Sequence, residues 1–382
     1  MPRIAVIGAG VGGLACSRAL QVHDIDVTVF ERDTSKLSRW QGGMLDLHVP
    51  TGQAALRAAG LFERFQALAR PEAQELRIVD RITGELVHHE LPSDDEGSAP
   101  EIDRGQLREL LLNSLRPETV HWGQSIERVV PAGNGAQLHF DDGRVDEFDL
   151  VVGADGAWSR TRAAVSPATP AYQGTTMIET YLDDVDNRHP ELAAMVGPGS
   201  MAATQGRTML TAQRNSGGHV RVYSAFDMPL DWYVAAGVDL TDADAVREYL
   251  LSRFAGWHEP LLRLIRDGEG EFFNRPLFVL PVGHRWGHVP GVTLVGDAAH
   301  LMPPYGVGAN LALIDGTDLA GAIAANADLD DAVRAYEAVM LPRSAAAAQT
   351  CAEMTETMAN DPTPDIDAAR KLLNDRMQEA VR

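Results

Sequence analysis

Six residues near the amino end, Gly8-Ala9-Gly10-Val11-Gly12-Gly13, restrict this chain to a small set of folds because of what flanks them. Arg3 to Ile7 reads as a short buried strand, Gly12 to Leu20 as a helix, and Val27 to Phe30 as a second strand, so the glycines fall at the turn of a βαβ unit. In that setting Gly8, Gly10 and Gly13 match a dinucleotide fingerprint. The first glycine permits a tight turn, the second lets the backbone approach a pyrophosphate, and the third lets the helix pack closely. The helix start supplies N–H groups and a positive dipole. Glu31 closes the second strand, where a carboxylate can bind a ribose hydroxyl. Gly12 and Arg32 complete this group of cofactor-contact candidates. The unit recognises the ADP moiety that NAD and FAD share and does not separate the two.

A second constellation points to FAD. Val292 to Val295 reads as a buried strand running into Gly296-Asp297, after which Met302-Pro303-Pro304, Gly306 and Gly308 lead into a helix from Asn310 to Ala325. Asp297 can bind a polyol hydroxyl. The N–H groups from Gly308 to Asn310 can face an electron-rich ring edge.

With these residues the chain resembles the class A flavoprotein monooxygenases of the p-hydroxybenzoate hydroxylase type. Three motifs carry the resemblance in order: GAGVGG at 8–13, Asp155-Gly156 within DLVVGADGAWSR, and Gly296-Asp297 within GDAAHLMPP. The resemblance implies non-covalent FAD, with Glu31 on the adenosine ribose, Arg104 near the pyrophosphate and ribityl chain, Asp297 on the ribityl chain, and Asp155-Gly156 linking FAD to nicotinamide handling. Gly42-Gly43-Met44-Leu45-Asp46-Leu47-His48, Glu101-Ile102-Asp103-Arg104 and Leu111-Leu112-Asn113-Ser114-Leu115 are similar to the tetracycline-inactivating flavin monooxygenases. By that similarity Gly43 and Asp46 lie beside the flavin, Pro304, Gly308 and Asn310 join the cofactor contacts, and Arg39 meets the NADPH phosphate. Glu179, Gly199 and Arg221 stand where those enzymes place polar substrate contacts.

The implied chemistry needs no catalytic side chain. NADPH or NADH reduces FAD, O2 adds at flavin C4a, and the hydroperoxide oxygenates an electron-rich phenol or enol, while the protein orients the substrate and excludes water. Two other readings stay open, a flavin dehydrogenase or reductase of the same fold and a flavoprotein that sequesters a ligand without turnover. No second dinucleotide fingerprint and no redox cysteine pair is present, since Cys16 and Cys351 are the only cysteines. This favours the monooxygenase. His300 and His48 read as packing residues, and Cys16 as core.

From Tyr172 to about Phe226 the pattern changes to alternating runs, which predicts an antiparallel sheet. Met177, Tyr181, Met201, Met209 and Tyr223 are expected to share one face of it, with Glu179, Arg221, Tyr223 and Pro303 as substrate contacts. The fold class expected is α/β: a Rossmann-like FAD-binding domain with an inserted antiparallel β-sheet substrate domain and C-terminal helix. The FAD-binding domain is assigned to 1–72, 98–171 and 275–329, the substrate domain to 73–97 and 172–274, and the terminal helices to 330–382. Helices are also expected from Pro50 to Gln66 and from Asp103 to Leu115, the second opened by a capping box of Asp103 and Gln106. A length of 382 residues with 45% hydrophobic content supports a sizeable core, and a formal charge of −21 disfavours nucleic-acid and anionic-membrane partners. A monomer in a reducing cytoplasm, acting on a small aromatic molecule and holding no metal, is the expectation.

Overall fold

The computed structural model describes residues 2–38, 42–92 and 98–360. Five strands form a parallel sheet in the order Val292–Leu294, Leu150–Gly153, Ile4–Ile7, Thr28–Glu31 and Val120–Trp122. The first three are apolar throughout apart from Thr293 and Gly153, as central parallel strands covered on both faces must be. Helices α1 (Val11–Val22), α2 (Arg104–Leu112), α3 (Gly308–Ala325) and α4 (Leu329–Asn360) belong to this half. Leu14, Leu20, Leu107, Leu111, Leu311, Leu319, Tyr336 and Met340 form one core with Val6, Leu150 and Leu294. A three-stranded antiparallel sheet, Ile126–Ala132, Gly135–Phe140 and Val145–Phe148, supplies Phe140 and Phe148 to Phe30 on the other side.

The second half is a seven-stranded sheet ordered Glu269–Val279, Ala171–Leu182, Val220–Asp227, Thr208–Arg214, Ser200–Gln205, Leu76–Val79 and Leu86–Glu90. Its pairings are antiparallel except between Ser200–Gln205 and Leu76–Val79. One face buries Ile178, Leu182, Val220, Val222, Phe226, Leu210 and Ala212 against helices Ala243–Arg253 and Glu259–Arg266. Each such large side chain contributes about 1.5–3 kcal/mol relative to exposure. The first helix is capped by Asp242, whose carboxylate accepts from the N–H groups of Asp244 and Ala245. The second begins with Glu259-Pro260 and turns Leu261, Leu264 and Ile265 inward.

Register decides what lies on the other face. Glu179 pairs with Tyr223, Tyr181 with Arg221, Arg221 with Gln213 and Met177 with Arg275, so these side chains leave the same side of the sheet. Met201 does not join them. It pairs with Ala212 and lies fully buried in the helix-covered core, because its strand presents Ser200 and Ala202 to the open face.

Two further expectations fail. Pro50 to Gln66 is not one helix: a π turn at Val49–Gln53 leads into Ala54–Ala58, and Gly60, at φ +67°, separates that turn from Phe62–Gln66. Asp103 precedes α2 but makes no capping bond. Its carboxylate accepts from Asn215 Nδ2 at 2.9 Å and Ser216 N at 3.1 Å, tying the start of α2 to a loop of the large sheet. The strand Glu269–Val279 runs through the expected boundary at 274 and stays paired to Ala171–Leu182 as far as Val279. No helix among the described residues is long and apolar enough to cross a membrane.

Candidate active site

The glycine turn opens the site. Gly8 has φ +107°, and a Cβ there would lie 2.4 Å from the Ala154 carbonyl oxygen, so the turn closes directly on the backbone that precedes Asp155. At Gly10 a Cβ would meet nothing within 4 Å, which leaves open space in front of α1. Glu31 is buried at the end of its strand, with Oε2 accepting from Ala9 N at 2.7 Å and Oε1 from Asp33 N at 2.9 Å. It therefore braces the turn as well as facing it. Arg32 beside it is exposed.

Helices α1 and α3 run side by side in near backbone contact. A Cβ on Gly12 would lie 3.0 Å from Ala312 O, and one on Gly316 would lie 2.6 Å from Cys16 N. Neither helix has a capping side chain or an acidic residue in its first turn. Their amino-terminal N–H groups are thus left for something other than the protein's own side chains.

Asp297 follows Gly296 at the end of the strand Val292–Leu294 and is exposed, and its carboxylate accepts no hydrogen bond from a described residue. It lies 3.9 Å from the Cβ position of Gly308, the first residue of α3. Beneath it is a buried charge chain. Asp315 Oδ2 accepts from Gly296 N at 3.0 Å and lies 2.6 Å from His300 Nε2, while its Oδ1 accepts from Arg343 Nη2 at 3.0 Å. Burial opposes charge on His300, but the Asp315 carboxylate outweighs it and holds the histidine pKa above its ordinary value. Burial would raise Asp315, yet His300 and Arg343 keep it low.

Asn310 is completely buried and fully used. Its Oδ1 accepts from His48 N, Gly52 N and Thr51 Oγ1, and its Nδ2 donates to Asp46 O and Gly306 O. It clamps the segment from Asp46 to Gly52 onto the start of α3. Asp46 Oδ2 lies 3.0 Å from His48 Nε2 and close to Gly306. Pro303 is buried and Pro304 exposed. Gly43, at φ +82°, accepts from Arg104 N at 3.1 Å, and the Arg104 side chain is exposed with no polar partner among the described residues. Arg39 lies outside the described residues.

Asp155 is occupied by its own loop. Its carboxylate accepts from Ser159 Oγ, Arg160 N, Thr161 N and Thr161 Oγ1 at 2.6–3.1 Å. This loop delivers Arg162, which the motif reading missed. Arg162 is buried and donates to Ala298 O at 2.7 Å and to Asp297 O and Ala157 O at 3.0 Å, joining the Asp155 loop to the Asp297 turn.

The open face of the large sheet meets this assembly at Gly42-Gly43. A Cβ on Gly42 would sit 2.4 Å from Arg221 Cζ, and one on Gly43 would sit 3.1 Å from Tyr223 Oη. Arg221 and Glu179, each expected as a substrate contact, are both buried and bonded to each other. Arg275 Nε donates to the second Glu179 oxygen at 3.0 Å. Burial, reinforced by the Glu179 carboxylate, pushes the Tyr223 phenol up to about 12.

The site fits a dinucleotide flavin: two uncapped helix starts, open space at Gly10, an exposed unpartnered carboxylate at Asp297, and Glu31 at the strand end. The family described as FAD binding domain matches residues 2–232 and 285–350. Monooxygenase asqM of Emericella nidulans is 33% identical over 371 residues, covering 83% of each chain. The chain belongs to the class A FAD-dependent aromatic monooxygenases. A second relative, 3-amino-4-hydroxybenzoate 2-monooxygenase of Streptomyces cremeus, is 30% identical and covers 90% of this monooxygenase and 85% of its own length. The solved structure of tetracycline destructase Tet(51) shares the fold at TM-score 0.71 and 22% identity, covering 100% of this monooxygenase and 96% of that chain. An FAD-dependent monooxygenase is thus the reading that stands, rather than a dehydrogenase or a sequestering flavoprotein.

Proposed function

We propose that this monooxygenase hydroxylates a polycyclic aromatic or enolic compound, of the polyketide or tetracycline-like kind, using NAD(P)H and O2. The domain division proposed with it sets the parallel-sheet half as the FAD-binding domain and the seven-stranded sheet as the substrate domain, with the substrate between them. The observation that carries the reading is the open sheet face at Gly42-Gly43, where Met177, Tyr181 and Tyr223 offer apolar surface beside Glu179 and Arg221. A flat molecule with a hydroxyl or enol edge matches such a face. The Streptomyces cremeus relative is named for an aminohydroxybenzoate, which supports a phenolic substrate.

FAD, when bound, accepts hydride equivalents and activates dioxygen for transfer of one oxygen atom. The chain's own residues do the rest. In this reading the α1 start with Gly8, Gly10, Gly12 and Gly13 holds the pyrophosphate, Glu31 the adenosine ribose, and Asp297 and Arg104 the ribityl chain. Asn310 holds Asp46 where it would lie beside the flavin, and the buried Arg221 packs closely against Gly42. Tyr223, protonated across the working range, orients the substrate by donating its hydroxyl hydrogen. Arg39 and the Asp155-Gly156 loop are assigned to NADPH.

The test is a screen of FAD-loaded protein for NADPH and NADH oxidation stimulated by polyketides and by single-ring phenols, with oxygen incorporation followed by mass under 18O2. Hydroxylation of single-ring phenols alone would refute the polycyclic substrate. Oxidation of reduced nicotinamide with no incorporation from any compound would refute the hydroxylase.

A further inference from the structure

We infer that a groove between the loop 283–286 and helix α4 is a second small-molecule site, one that takes an aliphatic carboxylate such as a medium-chain fatty-acid anion. It lies apart from the site described above. Its walls are Gly283, Arg285, Glu337, Leu341, Pro342 and Ala345, together with Ala338, and none of these is a candidate for cofactor or substrate contact.

Three observations carry the inference. The first is size and rigidity. The groove holds about 510 Å³, within the range of about 300–1,000 Å³ in which small-molecule sites fall. From Ala338 to Ala345 its floor follows α4 for about 10 Å, at roughly 1.5 Å of rise per residue, which is the reach of a medium-length alkyl chain. Ala338, Pro342 and Ala345 have no side-chain rotamers to freeze, so that part of the wall is formed before a ligand arrives. Pro342 stands in the interior of α4, where a proline forfeits a helix hydrogen bond and is ordinarily excluded. Here its ring supplies apolar floor.

The second is the chemistry of the lining. It is chiefly aliphatic and contains no aromatic ring, so it fits a saturated chain better than a stacked planar one. Two valines extend the apolar surface past the rim. Val282, next to Gly283, is 51% exposed, and Val339, the i−3 neighbour of Pro342 on the helix surface, is 54% exposed.

The third is charge. Arg285 is exposed and makes no hydrogen bond or ion pair among the described residues, which leaves its guanidinium able to bind a carboxylate through two parallel bonds. Glu337, the acidic side chain of the wall, does not compete for it. That carboxylate is buried and occupied: Oε1 accepts from Trp286 Nε1 at 3.0 Å and Thr293 Oγ1 at 2.8 Å, and Oε2 lies 3.0 Å from His288 Nδ1. An aliphatic trough with an unengaged guanidinium beside it favours an amphiphilic anion over a neutral or cationic chain.

The test is calorimetric titration of FAD-loaded protein with octanoate and with octanamide, below the concentration at which octanoate self-associates. Octanoate should bind at one site and at least tenfold more tightly than octanamide. Arg285→Gln should weaken octanoate by at least tenfold and leave octanamide unchanged within threefold. Ala345→Trp, which fills the groove, should abolish binding of both. FAD content should be the same in all three proteins. Absence of octanoate binding to the unsubstituted protein, equal affinity for acid and amide, or octanoate binding that survives Ala345→Trp would overturn the inference, the last by placing the acid elsewhere on the molecule. Sedimentation velocity of the same proteins tests the competing occupant: a dimer that Ala345→Trp dissociates, without octanoate binding to the parent, would give the groove to a second copy of the chain and overturn the small-molecule site. The comparison of acid with amide in the unsubstituted protein holds whether or not a variant folds.

Discussion

Replacing Asn310 with alanine removes five hydrogen bonds at once. The lost bonds are those from His48 N (2.9 Å), Gly52 N (3.1 Å) and Thr51 Oγ1 (3.2 Å), and those to Asp46 O (2.7 Å) and Gly306 O (2.9 Å). At about 1 kcal/mol net for each, the ceiling is about 5 kcal/mol. The vacated space is polar enough to admit water, which would recover part of this and leave about 3 kcal/mol. Unfolding entropy of about 2.1 cal/mol/K per residue over 382 residues is about 0.8 kcal/mol/K, so Tm should fall by roughly 4 °C. Asn310→Asp should cost more than alanine despite its closer shape, because a carboxylate oxygen would then face two carbonyl oxygens in a fully buried place. Differential scanning calorimetry of the FAD-free protein gives the Tm shift, and flavin absorbance after gel filtration gives retention, which should fall in both variants as Asp46 to Gly52 loosens. An alanine variant melting within 1 °C of the parent with full flavin, or an aspartate variant more stable than alanine, would refute the clamp.

Glu179→Gln should destabilise by about 3–5 kcal/mol, since Arg221 would remain buried against a neutral group, while Glu179→Leu with Arg221→Met should recover most of the loss; chemical denaturation of the three proteins checks this. The His300–Asp315 pair sets a stability window. His300 has a folded pKa above its ordinary 6.5, so its contribution is whole below that value and is lost as pH rises through the folded one. Asp315 lies below its ordinary 3.8, so its contribution is whole above that value and is lost as pH falls through the depressed one. Tm should therefore decline above about pH 6.5 in the parent and no longer do so in Asp315→Asn, as thermal melts across pH 5–9 would show. Asp297→Ala should raise the Kd for FAD by roughly 10- to 150-fold, the loss of a charged acceptor worth about 1.5–3 kcal/mol, read by flavin fluorescence titration.

The cofactor half was readable because its signals are local. The glycine turn, the apolar strands beside it and the Gly296-Asp297 turn each declare their structure within a few residues. The parallel sheet and the long terminal helix followed from the same kind of pattern. What sequence could not give was register. The Glu179–Arg221 and Glu179–Arg275 bonds join residues 42 and 96 positions apart, and their existence depends on how three strands slide against one another. Met201 shows the same limit, since alternation places it on some face but only the pairing with Ala212 says which. Asp103 had the local pattern of a cap, yet Asn215, 112 positions on, competes for its carboxylate and wins. Arg162 lay two residues beyond the motif that drew attention to Asp155, and no local signal distinguished it from Arg160.

The side-by-side starts of α1 and α3, bare of capping side chains, carry a thermodynamic consequence. Parallel dipoles at backbone contact repel at their positive ends, and the fold leaves that repulsion unrelieved within the protein itself. Cofactor binding thereby becomes part of folding free energy: free FAD at a hundred times its Kd adds about 2.7 kcal/mol to the native state. A shift of that size moves the folded-to-unfolded ratio about a hundredfold, so the steady-state amount of this enzyme in a cell should follow the supply of flavin, with the unloaded fraction cleared first.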